Sequence, residues 1–326
     1  MDVLGIDLAK LTFDVTLITS RGPSFHSSFP NTLEGFAQLQ AWLIEHEVTQ
    51  VHACMEATNI YWEALATWLH AHSHRVSVVN PARIAGYARA TMQRNKTDKL
   101  DSAIIASFCA THHPEEWQPM TETQHRLRAL VRHRDDLLQT RLQQQNRVRD
   151  TTDTLVRASL QVILDTLASQ LKDVERMIAE QVASDTAART NLALLTTITG
   201  IGVVTATKVL AEFGDLRAYD SAKAVAADAG VTPSHYESGT SVHRRPRMSK
   251  VGNATVRAAL YFPAITAIRW CPACAAFAER LAQRGKPKKV IIGAMMRKLL
   301  HIMYGVLKHQ TPYDPSKLMA NADPPT

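Results

Sequence analysis

The chain has 326 residues, 45% hydrophobic and 21% charged, which excludes global disorder and leaves room for more than one packed core. Lys and Arg number 37 against 30 Asp and Glu, a formal net charge of +7. That balance suits a polyanionic partner without proving one.

Residues 1 to 122 read as strands alternating with helices, an α/β layer on a mixed sheet. Apolar runs predict strands at Val3–Asp7, Thr12–Thr19, near Phe25–Phe29, at Val51–Glu56 and at Arg75–Asn80. Between them, Phe36, Leu39, Trp42 and Leu43 make the apolar stripe of a helix over Leu33–Glu47, and a second helix runs Ile60–His72. Pro81 stands where a third can begin. Four carboxylates punctuate this pattern. Asp7 and Glu56 close two strand runs, and Asp98 and Asp101, three apart, share one face of a helix. Oxygen ligands converging from separate elements suit hard divalent cations, and a metal pair can stabilise both oxygens of a phosphoryl displacement. On spacing alone the four predict metal-assisted phosphodiester chemistry, equally suited to a nuclease.

From 123 to 190 the pattern is helical, with no Gly or Pro between Thr121 and Thr199, and long helices, as an antiparallel arm, are expected. Leu160, Ile163, Leu164, Leu167, Leu171, Val174 and Ile178 recur at helical spacing, whereas Arg141 to Thr154 is polar on every face. The arm reads either as a spacer or dimerising element, or as a phosphate-contacting one through Arg126, Arg128, Arg132, Arg134, Arg141, Arg147 and Arg149.

Residues 191 to 326 form a mostly helical third segment. Gly200-Ile201-Gly202 between two apolar helical runs predicts a helix-hairpin-helix, in which glycines admit a phosphate to the orphan N–H groups of a helix start. No strand precedes it, so a dinucleotide fingerprint is disfavoured. Gly230 to Lys250, dense in Gly and Ser, reads as a flexible loop. From Ser238 to Lys298 there are 13 Lys or Arg and one acidic residue, Glu279, so polyanion binding is expected here. Arg244, Arg245, Arg247, Lys250 and Arg257 are its candidate contacts, with Gly200 and Gly202. Cys271-Pro272-Ala273-Cys274 lacks a redox fold context and a second Cys pair, and a helix-start or packing role is expected. Asp2 and Asp7 interrupt any leader-like run, and Arg297, Lys298 and His301 interrupt the apolar stretch Val290 to Leu307. A soluble cytoplasmic protein, away from membranes, is the expectation.

Taken together, Gly5-Ile6-Asp7-Leu8-Ala9-Lys10, Met55-Glu56-Ala57-Thr58, Val79-Asn80-Pro81 and Arg94 to Asp101 resemble, in order, the DEDD-type transposases of the bacterial insertion sequence 110 family, related to the Piv-type invertases. The likeness continues through Gly200-Ile201-Gly202, Ala229 to Pro233, Tyr236-Glu237-Ser238-Gly239, Met248 to Gly252 and Arg257 to Tyr261. It implies a RuvC-like, RNase H type N-terminal domain with Asp7, Glu56, Asp98 and Asp101 as a Mg2+ tetrad, Mn2+ being an alternative. It also implies that Ser238 attacks DNA and forms a covalent phosphoserine, with Ser241 as the lesser alternative. Element ends and target DNA, a structured guide RNA from the element, and self-association as a dimer or tetramer are the implied partners. Two other readings stay open: a junction endonuclease using water, and a non-catalytic nucleic-acid-binding protein.

Overall fold

The computed structural model describes residues 1–58, 60–91, 98–238 and 242–316, apart from the side chains of 98–99, 235–238 and 242–246. The chain divides into two compact units, residues 1–119 and 120–326.

The first unit is built on a five-stranded mixed sheet in the order β3-β2-β1-β4-β5. Strands β1 (Asp2–Leu8), β2 (Thr12–Ile18) and β3 (Ser24–Pro30) form an antiparallel meander. Strands β4 (Val51–Glu56) and β5 (Arg75–Val79) join parallel to β1 through helical crossovers. Side chains alternate between two covered faces. Leu4, Ile6, Phe13, Val15, Leu17, Ala53 and Met55 pack beneath α1 (Leu33–Glu45) and α2 (Trp62–Ala71). Val3, Cys54 and Val79 pack on the other face, beneath α3 (Pro81–Ala90) and α4 (Asp98–His112). Local chemistry fixes the helix starts: Thr32 caps α1, and Asn80 accepts from Ala82 N with Pro81 in the first turn of α3.

In the second unit α5 (Glu122–Asp150) and α6 (Thr154–Ser184) pack as an antiparallel hairpin, as their unbroken helical pattern predicted. Asp153 caps α6 by accepting from Val156 N at 2.9 Å. Then come α7 (Thr186–Thr196), α8 (Val203–Phe213) and α9 (Ala222–Asp228), and after a ribbon α10 (Ala254–Ala259), α11 (Tyr261–Trp270), α12 (Pro272–Gln283) and α13 (Lys288–His309). By length and composition α13 could cross a membrane, but Met295, Leu299, Leu300, Met303 and Leu307 are buried in the helical core. Cys271 occupies the N-cap of α12, and it and Cys274 are buried free thiols.

One expectation is corrected. The segment read as a flexible loop contains an antiparallel ribbon of β6 (Pro233–Ser238) and β7 (Val242–Met248). Two of the segment's serines, Ser234 and Ser238, lie within β6. Ser234 pairs with Arg247 but Tyr236 with Arg244, so β7 holds an extra residue there. Pro246 falls within that irregularity, where a missing N–H breaks no ladder bond.

Candidate active site

Alternation along the sheet decides where the acidic residues point. Gly5 and Cys54 are register partners on parallel strands, and both face α4. Two residues on, Asp7 and Glu56 share that face and stand at the C-terminal ends of the adjacent central strands. Helix α4 crosses Gly5 with Ser102 and Ala106, and farther along Cys109 Sγ donates to His52 O at 3.8 Å. Because His52 pairs with Val3, α4 runs from the C-terminal toward the N-terminal ends of β1 and β4. Its first residues, Asp98 and Asp101, therefore lie toward Asp7 and Glu56.

Asp7, Glu56 and Asp101 are each partly buried. Thr58 Oγ1 donates to Glu56 Oε2 at 3.4 Å. Just behind Glu56, the Cys54 and Cys109 thiols share a hydrogen bond that, together with burial, pushes the Cys54 thiol up. Among the described residues no three His, Cys, Asp or Glu side chains gather closely enough to hold a metal ion. The Asp98 side chain lies outside the described residues, so the complete tetrad is not described. As a donor set, four carboxylates suit a hard divalent cation, and crowded anions repel unless a cation or protons compensate.

Sequence reasoning passed over one acidic neighbour. Asp14 is the cross-strand partner of Asp7, on the same face, with its Oδ1 3.2 Å from His26 Nε2 and its Oδ2 accepting from Ser28 Oγ at 3.4 Å. Its signal was the alternation Asp14, Thr16 along β2, which puts a carboxylate on the α4 face.

Ser238 ends β6, opposite Val242. Its side chain, and those of Arg244 and Arg245, lie outside the described residues, as does Ser241. Arg247 and Lys250 are exposed. Arg257 Nη1 instead donates to Ala229 O and Lys250 O, at 3.1 and 3.2 Å, tying α10 to the base of the ribbon. Gly200 has φ +94° and sits against α11, where a Cβ would lie 2.7 Å from Pro263 O. Gly202 is the N-cap of α8 at φ −90°, with no side chain capping that end and nothing within 4 Å of where its Cβ would stand. The first N–H groups of α8 thus lack a side-chain partner at the cap.

The phosphate-contacting reading of the arm is narrowed. Arg132 forms a bidentate pair with Glu212, 2.8 Å to each oxygen, and Asn253 Nδ2 adds a third bond to that carboxylate. Arg128 donates to Ala211 O and Glu212 O, and Arg134 bonds Glu175 at 2.8 Å. These three are engaged inside the unit. Burial alone would push the Glu212 carboxyl up, but the hydrogen bonds from Arg132 and Asn253 and the charge of Arg132 outweigh it and hold it below the usual range.

Comparison with known proteins completes the picture. Residues 4–156 match the family model of the IS110-type DEDD transposase domain, described as Transposase, and residues 192–279 match the Transposase IS116/IS110/IS902 family. The chain is 34% identical over 314 residues to the pilin gene-inverting protein of Moraxella lacunata, covering 95% of this chain and 97% of that one. It is 24% identical over 274 residues to the transposase for insertion sequence element IS1328 of Yersinia enterocolitica, 73% and 75% of the two chains. It is also 27% identical over 159 residues to the insertion element IS110 uncharacterized 43.6 kDa protein of Streptomyces coelicolor, 48% and 39% of the two. The chain belongs to the IS110 family of transposases, enzymes that recombine DNA.

Proposed function

We propose that this protein cuts and rejoins DNA through a Mg2+-dependent carboxylate site of RuvC-like type and a covalent 5′-phosphoserine on Ser238. The observation that carries the reading is the meeting of Asp7 and Glu56 at the ends of adjacent strands, beneath the helix that begins with Asp98 and Asp101. Mg2+, or Mn2+, when bound there would polarise the scissile phosphate and stabilise the charge that develops on its oxygens. Ser238 Oγ attacks the phosphorus, its proton passes to solvent, and the 3′ oxygen leaves and takes up a proton. The bond energy is kept in the phosphoserine, so a 3′ hydroxyl from another strand can reverse the step without a nucleotide cofactor. The reading requires the carboxylates and Ser238, which belong to different units, to act on one phosphate. That pairing can be met between subunits of a dimer or tetramer.

The turn at Gly200 and Gly202, read as a helix-hairpin-helix, offers the N–H groups of α8 to a DNA phosphate. The basic run from Arg244 to Lys298 supplies charge for DNA and for a structured guide RNA of the element that would select the sites. The test is trapping. Full-length protein, Mg2+ and labelled DNA carrying element ends should give an adduct that survives denaturing electrophoresis. Ser238→Ala and Asp7→Asn should abolish it, and Ser241→Ala should keep it. Undiminished cleavage by Ser238→Ala, with a free 5′ phosphate, would make water the nucleophile and overturn the phosphoserine.

A further inference from the structure

We infer that Thr16 and Ser102 are positioning residues, whose buried hydrogen bond sets how far α4 lies along the sheet and so where Asp98 and Asp101 stand against Asp7 and Glu56. The inference rests on the metal-dependent reading above. Helix α4 is held on the sheet chiefly by Ile104, Ile105, Ala106, Phe108 and Cys109, packed among Val3, Cys54 and Val79. Apolar burial is non-directional, so it resists lifting the helix more than it resists sliding it. A slide of one residue is about 1.5 Å, whereas a working site tolerates about 0.5 Å. Some directional contact has to set the axial position.

Gly5 brings the helix close. A Cβ there would overlap the Ala106 nitrogen and the Ser102 carbonyl oxygen, so the α4 backbone rests directly on β1. Thr16 is the cross-strand partner of Gly5. Its hydroxyl, on a residue only 6% exposed, shares a 2.8 Å hydrogen bond with Ser102 Oγ, on a residue with no exposure. Ser102 directly follows Asp101, so the bond lies beside the closest helix-to-strand approach and next to the acidic end. Two further polar ties from α4 serve different ends. Tyr87 and Ser107 share a bond at 2.8 Å that joins α3, and Cys109 reaches His52 at the opposite end of the strand.

The experiment titrates full-length protein with Mn2+ alone, reading free Mn2+ by electron paramagnetic resonance, with thermal melting in chelator alongside. The double variant Thr16→Val/Ser102→Ala removes both hydroxyls, so neither is left stranded and melting should stay near wild type. Its Mn2+ affinity should nevertheless fall about tenfold, the lower end of what loss of an outer partner costs a metal site. Thr16→Ser keeps the hydroxyl and should bind as wild type. If the double variant loses its fold, Thr16→Val carries the same comparison, since it keeps the side chain's shape and a helical serine can turn its hydroxyl to the carbonyl four residues before it. Unchanged affinity in the folded double variant, with Asp7→Asn having lost Mn2+ binding, would overturn the positioning role and leave the metal reading standing. Wild-type binding by Asp7→Asn would instead remove the metal reading and this inference with it.

Discussion

Asp7 and Glu56 stand at the ends of central strands whose neighbours are buried on both faces, whereas Ser238 stands at the end of a two-stranded ribbon. The first arrangement surrounds each carboxylate with a pleat, a crossing helix and fixed register partners. The second has one ladder of hydrogen bonds, interrupted by an irregularity, and a base tied down by Arg257 and the helical core. Metal ligands must hold mutual distances to fractions of an ångström. A nucleophile that joins and leaves DNA has to meet its phosphate only when the strands are in place. On the proposed reading, the contrast is between a site assembled by the fold and a group delivered to it.

Three sets of substitutions probe the two units, beginning with the largest effect. Gly5→Ala drives a methyl into the α4 backbone and should destabilise the N-terminal unit by about 3 kcal/mol or more, as overpacking does where backbone must move. Calorimetric melting checks it, with Gly86→Ala as the partner measurement. Gly86 lies within α3 with nothing near its Cβ position, so alanine there should be neutral or stabilising. If both melt alike, α4 does not rest on β1 as described.

Next in size is the polar knot of the second unit. Glu212→Ala leaves Arg132 and Asn253 without their shared acceptor. Because Arg132 is itself 46% exposed, the loss should be about 2 kcal/mol rather than the full cost of a buried orphan charge. Protonation has a definite sign. The folded carboxyl titrates below its ordinary value of 4.5, so its contribution is present above that pH and is lost as pH falls through the lowered folded value. Urea melts of wild type and Glu212→Gln at neutral and acid pH should converge on acidification.

The smallest effect separates two glycines of one turn. Gly200→Ala meets both a left-handed φ and Pro263 O and should cost about 1–2 kcal/mol. Gly202→Ala has a permitted φ and open space and should cost under about 1 kcal/mol. The folded Gly202→Ala protein is then the one whose duplex DNA affinity reports on the turn, and that affinity is expected to fall. Unaltered affinity would leave Gly202 a structural residue only.

The strand–helix alternation of the first unit was legible because each element carries its own period and its own punctuation, such as Asn80-Pro81 before α3. The ribbon was not, since Gly239 and the serines around it dominated a segment whose strands are short and polar and one of which contains Pro246. The arginines of α5 were visible as charge, but not their commitments. Arg132 meets an acid 80 positions away and Arg134 one 41 positions away, distances no local pattern encodes. Asp7 and Glu56 could be picked out from where their strands end. Which face they share with α4 became readable only once Gly5, Thr16 and Ser102 were seen to touch.

The ribbon has the geometry of a lever. Six residues of β6 at the usual rise reach roughly 17 Å from Pro233 to Ser238. A tilt of about 10° at its base would therefore carry its end about 3 Å, about the separation of two reacting atoms poised for attack. On the proposed reading, a small rearrangement where Arg257 grips the carbonyls of Ala229 and Lys250 would be magnified at Ser238, far from the grip itself.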